Sequence, residues 1–200
     1  MSRLLSLIIM YVLLQSAASA YDKPANGALI FTEHGSSLVS TYTKSSFSHV
    51  AIVLYERGMP IVFEAKPGGV TKSTYGNYLK TAKVAKIIDT NEVTLWLTNP
   101  RQPYSEIEIR KMLNMANAKL GTRYSIIPTL TAWDQPTLQC AQYVSIVLQT
   151  GPRFWFRSPK SQTPTTLLRI AKPGYQPMQL VHQEETSNTS FFSRIGHYSE

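Results

Sequence analysis

The chain has 200 residues and a formal net charge of +8. Its composition, 43% hydrophobic with three Trp, seven Phe and eleven Tyr, is typical of a folded globular domain. A single cysteine excludes an intramolecular disulfide, and the lack of Lys/Arg blocks or basic–aromatic alternation argues against a nucleic-acid partner. The positive charge either serves solubility or attracts the chain to an anionic cell-wall or lipid surface.

The first 20 residues have the three parts of a secretory signal peptide. Arg3 supplies the positive start, residues 4–14 are apolar, and Ala18 and Ala20 form the small-x-small pattern of a cleavage site. The apolar run is shorter than the ~20 residues that span a bilayer. We therefore expect cleavage near Ala20 and a secreted or periplasmic protein. Such a protein could contact a membrane peripherally.

Short apolar runs bounded by turn residues predict strands in the first half of the remaining chain. The letters "ERGM" separate "SHVAIVLY" from "PIVFEA", which predicts a β-hairpin, and "PGGVT" then predicts a turn. The predicted strands cover residues 26–31, 48–55, 60–65, 82–89 and 92–98.

Helix signals follow in the second half. The clearest helix starts at Ser105, which forms a capping box with Glu108, and ends at Gly121. A second helix is predicted over residues 138–149, with Thr137 as its N-cap.

The end of the chain defines the predicted domain organisation. A short helix is predicted within residues 163–171, whereas residues 172–200 show no regular period and are expected to form a mobile tail. We therefore predict a signal peptide over residues 1–20 and one domain over residues 21–171. Strands in the middle with a few flanking helices indicate an α+β fold.

Cys140 carries most of the functional information. A lone cysteine is a buried apolar side chain, an intermolecular bridge or a nucleophile. With Thr137 as N-cap, Cys140 lies in the first helical turn, where free N–H groups and the positive helix end favour a thiolate. The same N–H groups can receive the oxyanion of an acyl intermediate. This position favours a nucleophile and leaves an inert core cysteine as the alternative.

A base and an acid are found upstream. Of the four histidines, only His49 lies in a predicted strand or helix. If the hairpin closes through a four-residue loop, His49 faces Glu64 with the Cβ atoms ~4.5–5.5 Å apart. Glu64 could then accept a hydrogen bond from the imidazole and select its tautomer. The plainer alternatives are a locally bonded histidine and a solvated carboxylate, and a one-residue slip would move Glu64 to the other face.

The order of histidine, acid and cysteine resembles that of the circularly permuted papain-like hydrolases, relatives of the NlpC-type cell-wall peptidases, and most closely their YiiX-like branch. The matching stretches are "GALIF", "SHVAIVL", "VFEAKPGGV", "LGTRY", "LQCAQYV" and "SQTPTTLL", which together span residues 27–168. The resemblance implies a permuted papain-like α+β fold. In that fold an antiparallel sheet or partial barrel packs against helices, with the nucleophile at a helix N-terminus.

The resemblance also implies roles for individual residues. Cys140 would be the nucleophile, His49 the base and Glu64 the group that orients the base, while Tyr124 would line the substrate cleft. We expect an exported cysteine hydrolase that cleaves an amide or ester bond through a thioester, with no cofactor and no metal ion. Its substrate would be a cell-wall peptide, an N-acyl amide or a lipid ester.

Two stretches depart from the family pattern. Ala28 stands where an acid is usual in the first strand, and Ala141 and Gln142 stand where Ser-Glu usually follows the nucleophile. One alternative is therefore an inactive binding module of the same fold, acting at an anionic cell-wall or membrane surface. A metal-dependent hydrolase using His49, Glu64 and another histidine is a further alternative, but no HxxxH-type spacing supports it.

Overall fold

The computed structural model describes residues 23–33, 46–84, 93–126 and 137–183. The predicted signal peptide lies outside these residues. The strands are β1 (Ala28–Glu33), β2 (Phe47–Glu56), β3 (Met59–Lys66), β4 (Gly69–Thr74), β5 (Thr94–Thr98), β6 (Arg123–Tyr124), β7 (Thr137–Leu138) and β8 (Gln179–Gln183). The α-helices are α1 (Tyr75–Val84), α2 (Glu106–Ala118), α3 (Cys140–Leu148) and α4 (Pro164–Ala171), and two 3-10 turns cover Pro159–Ser161 and Lys172–Gly174.

Six of these strands form one sheet in the order β4-β3-β2-β1-β5-β8. Each neighbouring pair in this sheet is antiparallel. The two short strands β6 and β7 pair in parallel, immediately before helix α3. The α+β prediction, with an antiparallel sheet packed against helices, is confirmed.

The sheet is buried on both faces. Ile52 and Leu54 of β2 belong to the main core, which they share with buried residues of α2, α3 and α4. Ala51 and Val53 point to the opposite face, into a second cluster that contains Tyr78 of α1. Burial on both sides explains why β2 reads as a continuous apolar run and does not alternate with polar residues.

The β2–β3 hairpin closes through a two-residue turn. Glu56 pairs with Met59, and the turn residues Arg57 and Gly58 have φ values of 52° and 80°. Positive φ at both positions is the type I′ geometry, whose twist matches that of the flanking strands. The predicted four-residue loop is wrong, so the register differs from the predicted one by two residues.

Residues 69–84 differ from the predicted pattern. The predicted turn "PGGVT" contains the start of β4, which pairs with β3 along its length. Residues 82–84, predicted as the beginning of a strand, are the end of α1, and residues 85–89 of that predicted strand lie outside the described residues. Gly69, with φ 115°, lets β4 approach β6: a Cβ atom there would stand 2.9 Å from the Thr122 carbonyl oxygen. This contact between distant segments is what a local pattern misses.

The helices α2 and α4 begin as predicted. Ser105 and Glu108 form the capping box of α2, and Thr163 caps α4 through its side chain. The packed structure continues past Ala171, the end predicted for the domain, because Tyr175 is buried and β8 pairs with β5. Within the described residues, none of the helices is both long and apolar enough to cross a membrane.

Candidate active site

Cys140 is the first residue of α3, with Gln139 as the N-cap. The predicted N-cap Thr137 is wrong, since Thr137 pairs with Arg123 in the parallel β6–β7 ladder. The strand holds Thr137 and Leu138 extended, so the helix cannot begin before Gln139. Cys140 therefore stands two positions earlier in the first turn than predicted, at the first helical position, where the N–H groups have no intrahelical partner. The first intrahelical bond runs from the Tyr143 N–H to the Gln139 carbonyl, at 2.9 Å.

Gln139 anchors the start of this helix to the segment that follows the helix. Its side-chain amide donates to the Gln162 carbonyl oxygen at 2.6 Å and to the Lys160 carbonyl oxygen at 3.5 Å. These bonds join the residue before the nucleophile to the 3-10 turn and the N-terminal end of α4. The thiol of Cys140 is therefore held by a segment that is fixed on both sides.

His49 lies on β2, between the other two predicted residues. Its Nε2 atom and Glu64 Oε2 are 2.9 Å apart, and its ring lies close enough to the Cys140 side chain for that side chain to raise the pKa of His49. Because Nε2 bonds the carboxylate, Nδ1 is the ring nitrogen left for the thiol. The imidazole thus connects the cysteine to the acid.

The register that brings Glu64 to His49 is not the predicted one. Continuing the observed pairing of Ile52 with Phe63 by one residue places Ala51 opposite Glu64. Glu64 is then a diagonal neighbour of His49 and does not stand directly opposite it. A shift of two residues keeps every side chain on its face, and a glutamate is long enough to cover the diagonal. The predicted contact therefore survives an incorrect register.

Glu64 is a buried carboxylate with both oxygens bonded. Its side chain is 5% exposed, and Lys66 Nζ stands 2.6 Å from Oε1. Burial raises the pKa of the Glu64 carboxyl, but the His49 and Lys66 interactions outweigh burial and hold the pKa below its usual range. Glu64 is accordingly charged at neutral pH and accepts a hydrogen bond from the Nε2–H group of His49.

The electrostatics of His49 follow from its two partners. Burial lowers the pKa of His49, whereas the hydrogen bonds and charges of Cys140 and Glu64 raise it more strongly, to about 10. The His49 side chain is 18% exposed, so it remains in contact with solvent. The site thus favours an imidazolium beside the sulfur.

Cys140 contributes to the raised pKa values of two tyrosines. Burial, and to a lesser extent that charge, raise the pKa of Tyr124, which is half-buried on β6 opposite Leu138. Burial and the charges of Glu64 and Cys140 likewise raise the pKa of Tyr78. Tyr124 was predicted to line the cleft, and the structure pairs it with Leu138, two residues before Cys140.

The sequence prediction missed Tyr78, Lys66 and Gln139. Tyr78 lies on α1, part of which was predicted as a strand, although the i, i+3 spacing of Tyr75 and Tyr78 indicates one helix face. Lys66 follows Glu64 by two residues on the same strand face, a spacing that could have suggested the ion pair.

A protein site for a metal ion such as zinc needs at least three donor side chains close together. Among residues 23–33, 46–84, 93–126 and 137–183, no three His, Cys, Asp or Glu side chains are grouped so that they could hold a metal ion. The side chains of His34, His182 and His197 lie outside the described part of the chain.

A histidine on a sheet strand, an acid on the next strand and a cysteine opening a later helix define a papain-like arrangement in permuted chain order. A family model described as "permuted papain-like amidase enzyme, YaeF/YiiX, C92 family" matches residues 23–150. The chain belongs to this family of permuted papain-like amidases.

The solved structures give the same fold. The crystal structure of the metalloprotein yiiX from Escherichia coli O157:H7 is similar with a TM-score of 0.57 and 18% sequence identity, covering 80% of this chain and 98% of that one. Among curated proteins, no significant match was found. At this identity the likeness establishes the fold, and "metalloprotein" describes the E. coli protein.

Proposed function

We propose that the chain is an exported cysteine hydrolase that cleaves an amide or ester bond through a thioester, with Cys140 as nucleophile, His49 as base and Glu64 as the residue that orients the base. The observation that carries the proposal is the single imidazole that bonds the Glu64 carboxylate at 2.9 Å and lies close enough to Cys140 for that side chain to raise its pKa. Membership of an amidase family supports the reaction class.

The first step is proton transfer within the site. The Cys140 thiol gives its proton to Nδ1 of His49, which leaves a thiolate beside an imidazolium. The Glu64 carboxylate accepts a hydrogen bond from the Nε2–H group, so it selects the ring orientation and stabilises the imidazolium charge. The raised pKa of His49 favours this ion pair over the neutral pair.

The thiolate then attacks the carbonyl carbon of the substrate. The backbone N–H groups of the first turn of α3, beginning with that of Cys140, face the developing oxyanion and stabilise it. The imidazolium gives its proton to the leaving amine or alcohol, and a thioester on Cys140 remains. Water, deprotonated by His49, hydrolyses the thioester and restores the thiol.

The departure from the family pattern at Ala28 leaves these groups in place. Ala28 is fully buried opposite Val53, four residues along β1 from Thr32, which pairs with His49. Four residues of strand correspond to about 13 Å, so this position does not touch the reacting atoms. The half-buried Tyr124 supplies an aromatic wall beside the thiol, which suits an acyl chain or a peptide.

The predicted signal peptide and the net charge of +8 support an exported enzyme that acts near an anionic surface. A cell-wall stem peptide, an N-acyl amide and a lipid ester all fit the proposed reaction.

The test is acylation of Cys140 by an activated ester such as p-nitrophenyl acetate, followed by intact mass and by release of p-nitrophenolate. We expect a transient acetyl adduct on Cys140 that His49→Ala slows by ~10²–10⁴-fold and Cys140→Ala abolishes. Ser48→Ala is the matched control. Ser48 is buried next to His49 in the chain, and its hydroxyl donates to the Thr32 carbonyl oxygen. Removing this hydroxyl therefore tests folding and leaves the three proposed catalytic side chains unchanged.

Two results would contradict the proposal. One is a Cys140 that stays unmodified in the folded protein, which would favour the inactive binding module. The other is an adduct that forms equally fast in His49→Ala, since the thiol would then react without its base.

A further inference from the structure

The segment that follows the nucleophile helix exposes a tryptophan. Residues 152–158, here called the Trp155 loop, connect α3 to the 3-10 turn at Pro159–Ser161. Trp155 is 78% exposed, more than any other large apolar side chain among the described residues. An indole exposed to this degree presents a large apolar surface with a polar N–H, and tryptophan is enriched at interfaces and at membrane surfaces.

The exposure is enforced by the residues on either side. Phe154 and Phe156 are both buried in the main core, so the intervening side chain must point outward. The Phe154 ring lies 5.8 Å from the Tyr175 ring, and a Cβ atom at Gly174 would stand 2.7 Å from that phenylalanine. The loop therefore cannot bury Trp155 without expelling a phenylalanine.

Further bonds hold the loop in place. The Arg153 guanidinium donates to the Gln102 and Pro103 carbonyl oxygens at 2.6 Å each, and it pairs with Glu108 at 2.8 Å. The Phe156 N–H donates to Gln149 Oε1 at 3.3 Å. A rigid, outward-pointing aromatic side chain suits a docking surface, because ordering it on contact costs little entropy.

The charge around Trp155 is positive. Arg157 and Lys160 are exposed, and residues 152–160 contain no acid. No carboxylate of the described residues forms an ion pair with either side chain. The loop and the 3-10 turn that follows it thus place two available cations, Arg157 and Lys160, close in sequence to the indole.

A second apolar side chain lies at the same end of the molecule. Ile107, 65% exposed, precedes Glu108 in the first turn of α2, and Glu108 is the partner of Arg153. Tryptophan prefers the headgroup region of a bilayer, and cations are attracted to anionic headgroups. Apolar side chains beside available cations are the pattern of a surface that lies on an anionic membrane.

We propose that the Trp155 loop docks the protein on an anionic lipid bilayer, with Trp155 in the headgroup region and Arg157 and Lys160 against lipid phosphates. The proposal does not depend on the proposed reaction. It has a geometric consequence, since the Lys160 carbonyl accepts from the side chain of Gln139 next to Cys140. Docking at this loop would bring the lipid surface towards the N-terminus of α3.

The test expresses the full chain and uses the purified protein with whatever N-terminal processing the expressing cell has carried out. The protein is mixed with vesicles of phosphatidylcholine alone or with about one third phosphatidylglycerol. We expect binding to the anionic vesicles only, weakened about 10-fold by Trp155→Ala and by the double change Arg157→Gln with Lys160→Gln. Met59→Ala, which removes an exposed apolar side chain from the β2–β3 turn, is the matched control and should change nothing.

Fluorescence quenching distinguishes membrane binding through the Trp155 loop from binding through the apolar residues 4–14. Brominated lipids should quench fluorescence in the wild type more than in Trp155→Phe, and the difference is the signal of Trp155 itself. Equal quenching in the two proteins, equal binding of wild type and Trp155→Ala, or equal binding to neutral and anionic vesicles would overturn the proposal. Circular dichroism of each variant checks that its fold is retained.

Discussion

Glu64 and Glu108 are two well-paired carboxylates with different surroundings. Glu108 caps α2, where it accepts from the Ser105 N–H at 2.7 Å and pairs with Arg153 at 2.8 Å. The Arg153 bonds are the main cause that lowers the pKa of Glu108, to about 2. The pKa of Glu64 is also lowered, by His49 and Lys66 against the effect of burial.

The difference lies in what the partners do next. Arg153 donates its other hydrogen bonds to the Gln102 and Pro103 carbonyls and stacks on the Tyr104 ring at 4.0 Å. The contacts of its guanidinium are therefore structural. His49 uses one nitrogen for Glu64 and turns the other to a sulfur. A lowered carboxyl pKa identifies a well-paired acid, whereas an adjacent base with a free second nitrogen beside a nucleophile identifies a candidate for catalysis.

The largest expected effect is the loss of acyl transfer in Cys140→Ala, which removes the nucleophile. Activity should fall to background while the free energy of unfolding falls by only about 1–2 kcal/mol, because a small buried side chain is shortened by one atom. Rates with the activated ester and urea denaturation measure the two effects. Unaltered turnover would place the reaction elsewhere in the molecule.

The next largest effect is the difference between variants of Glu64 and Glu108. Glu64→Gln should reduce the acylation rate by ~10–10³-fold, because the imidazolium loses its charged partner, and it should also lower the free energy of unfolding, because the buried His49 and Lys66 lose the carboxylate that they pair with. Glu108→Ala should leave the rate unchanged and lower the free energy of unfolding by about 1–3 kcal/mol, through loss of a cap and an ion pair. The comparison fails if both variants lose activity in proportion to stability.

The titration of His49 tests its contact with the thiol. In Cys140→Ala the pKa of His49 should fall from about 10 towards 6.5, since the hydrogen bond and charge of the sulfur are gone. A raised pKa contributes stability that is complete below about pH 6.5 and is lost as pH rises through about 10. Proton NMR of the imidazole follows the change. An identical pKa in both proteins would mean that the sulfur does not contact the ring.

The smallest effect concerns acid stability. With a pKa of about 2 against the ordinary value of 4.5, Glu108 contributes stability that is present above pH 4.5 and is lost as pH falls through about 2. The stability advantage of the wild type over Glu108→Gln should therefore shrink across this range. Urea midpoints at neutral pH, pH 4.5 and pH 2.5 measure it, and a constant difference would contradict the assignment.

The candidate site was more predictable than the details that build it. His49, Glu64 and Cys140 were found from residue type and position, and the structure brings all three together. The hairpin register and the N-cap of α3 were wrong, because both depend on pairing: a two-residue turn at Arg57–Gly58 and a parallel ladder at Thr137. The contact tolerated the register error because two residues is the period of a strand.

The missed elements share one cause. Strand β4 follows a Gly-Gly turn signal, and β8 lies in a segment without a regular pattern. Strand β4 forms because it pairs with the edge of β3, and strand β8 forms because it pairs with the edge of β5. Long-range pairing of this kind outweighs local preference, since strand propensity depends on the neighbouring strands.

The sequence by itself determined the fold class, the capped helix α2, the apolar strands β2 and β3, and the three residues whose chemistry the site could use. These follow from patterns that are local to one element, such as a capping box or a run of β-branched residues. Only the tertiary structure decided that Nε2 of His49 meets Glu64, that Lys66 occupies the second carboxylate oxygen, and that Trp155 points outward between two buried phenylalanines. Each of these depends on distances between elements, which are set by packing of the whole core and not by neighbours along the chain.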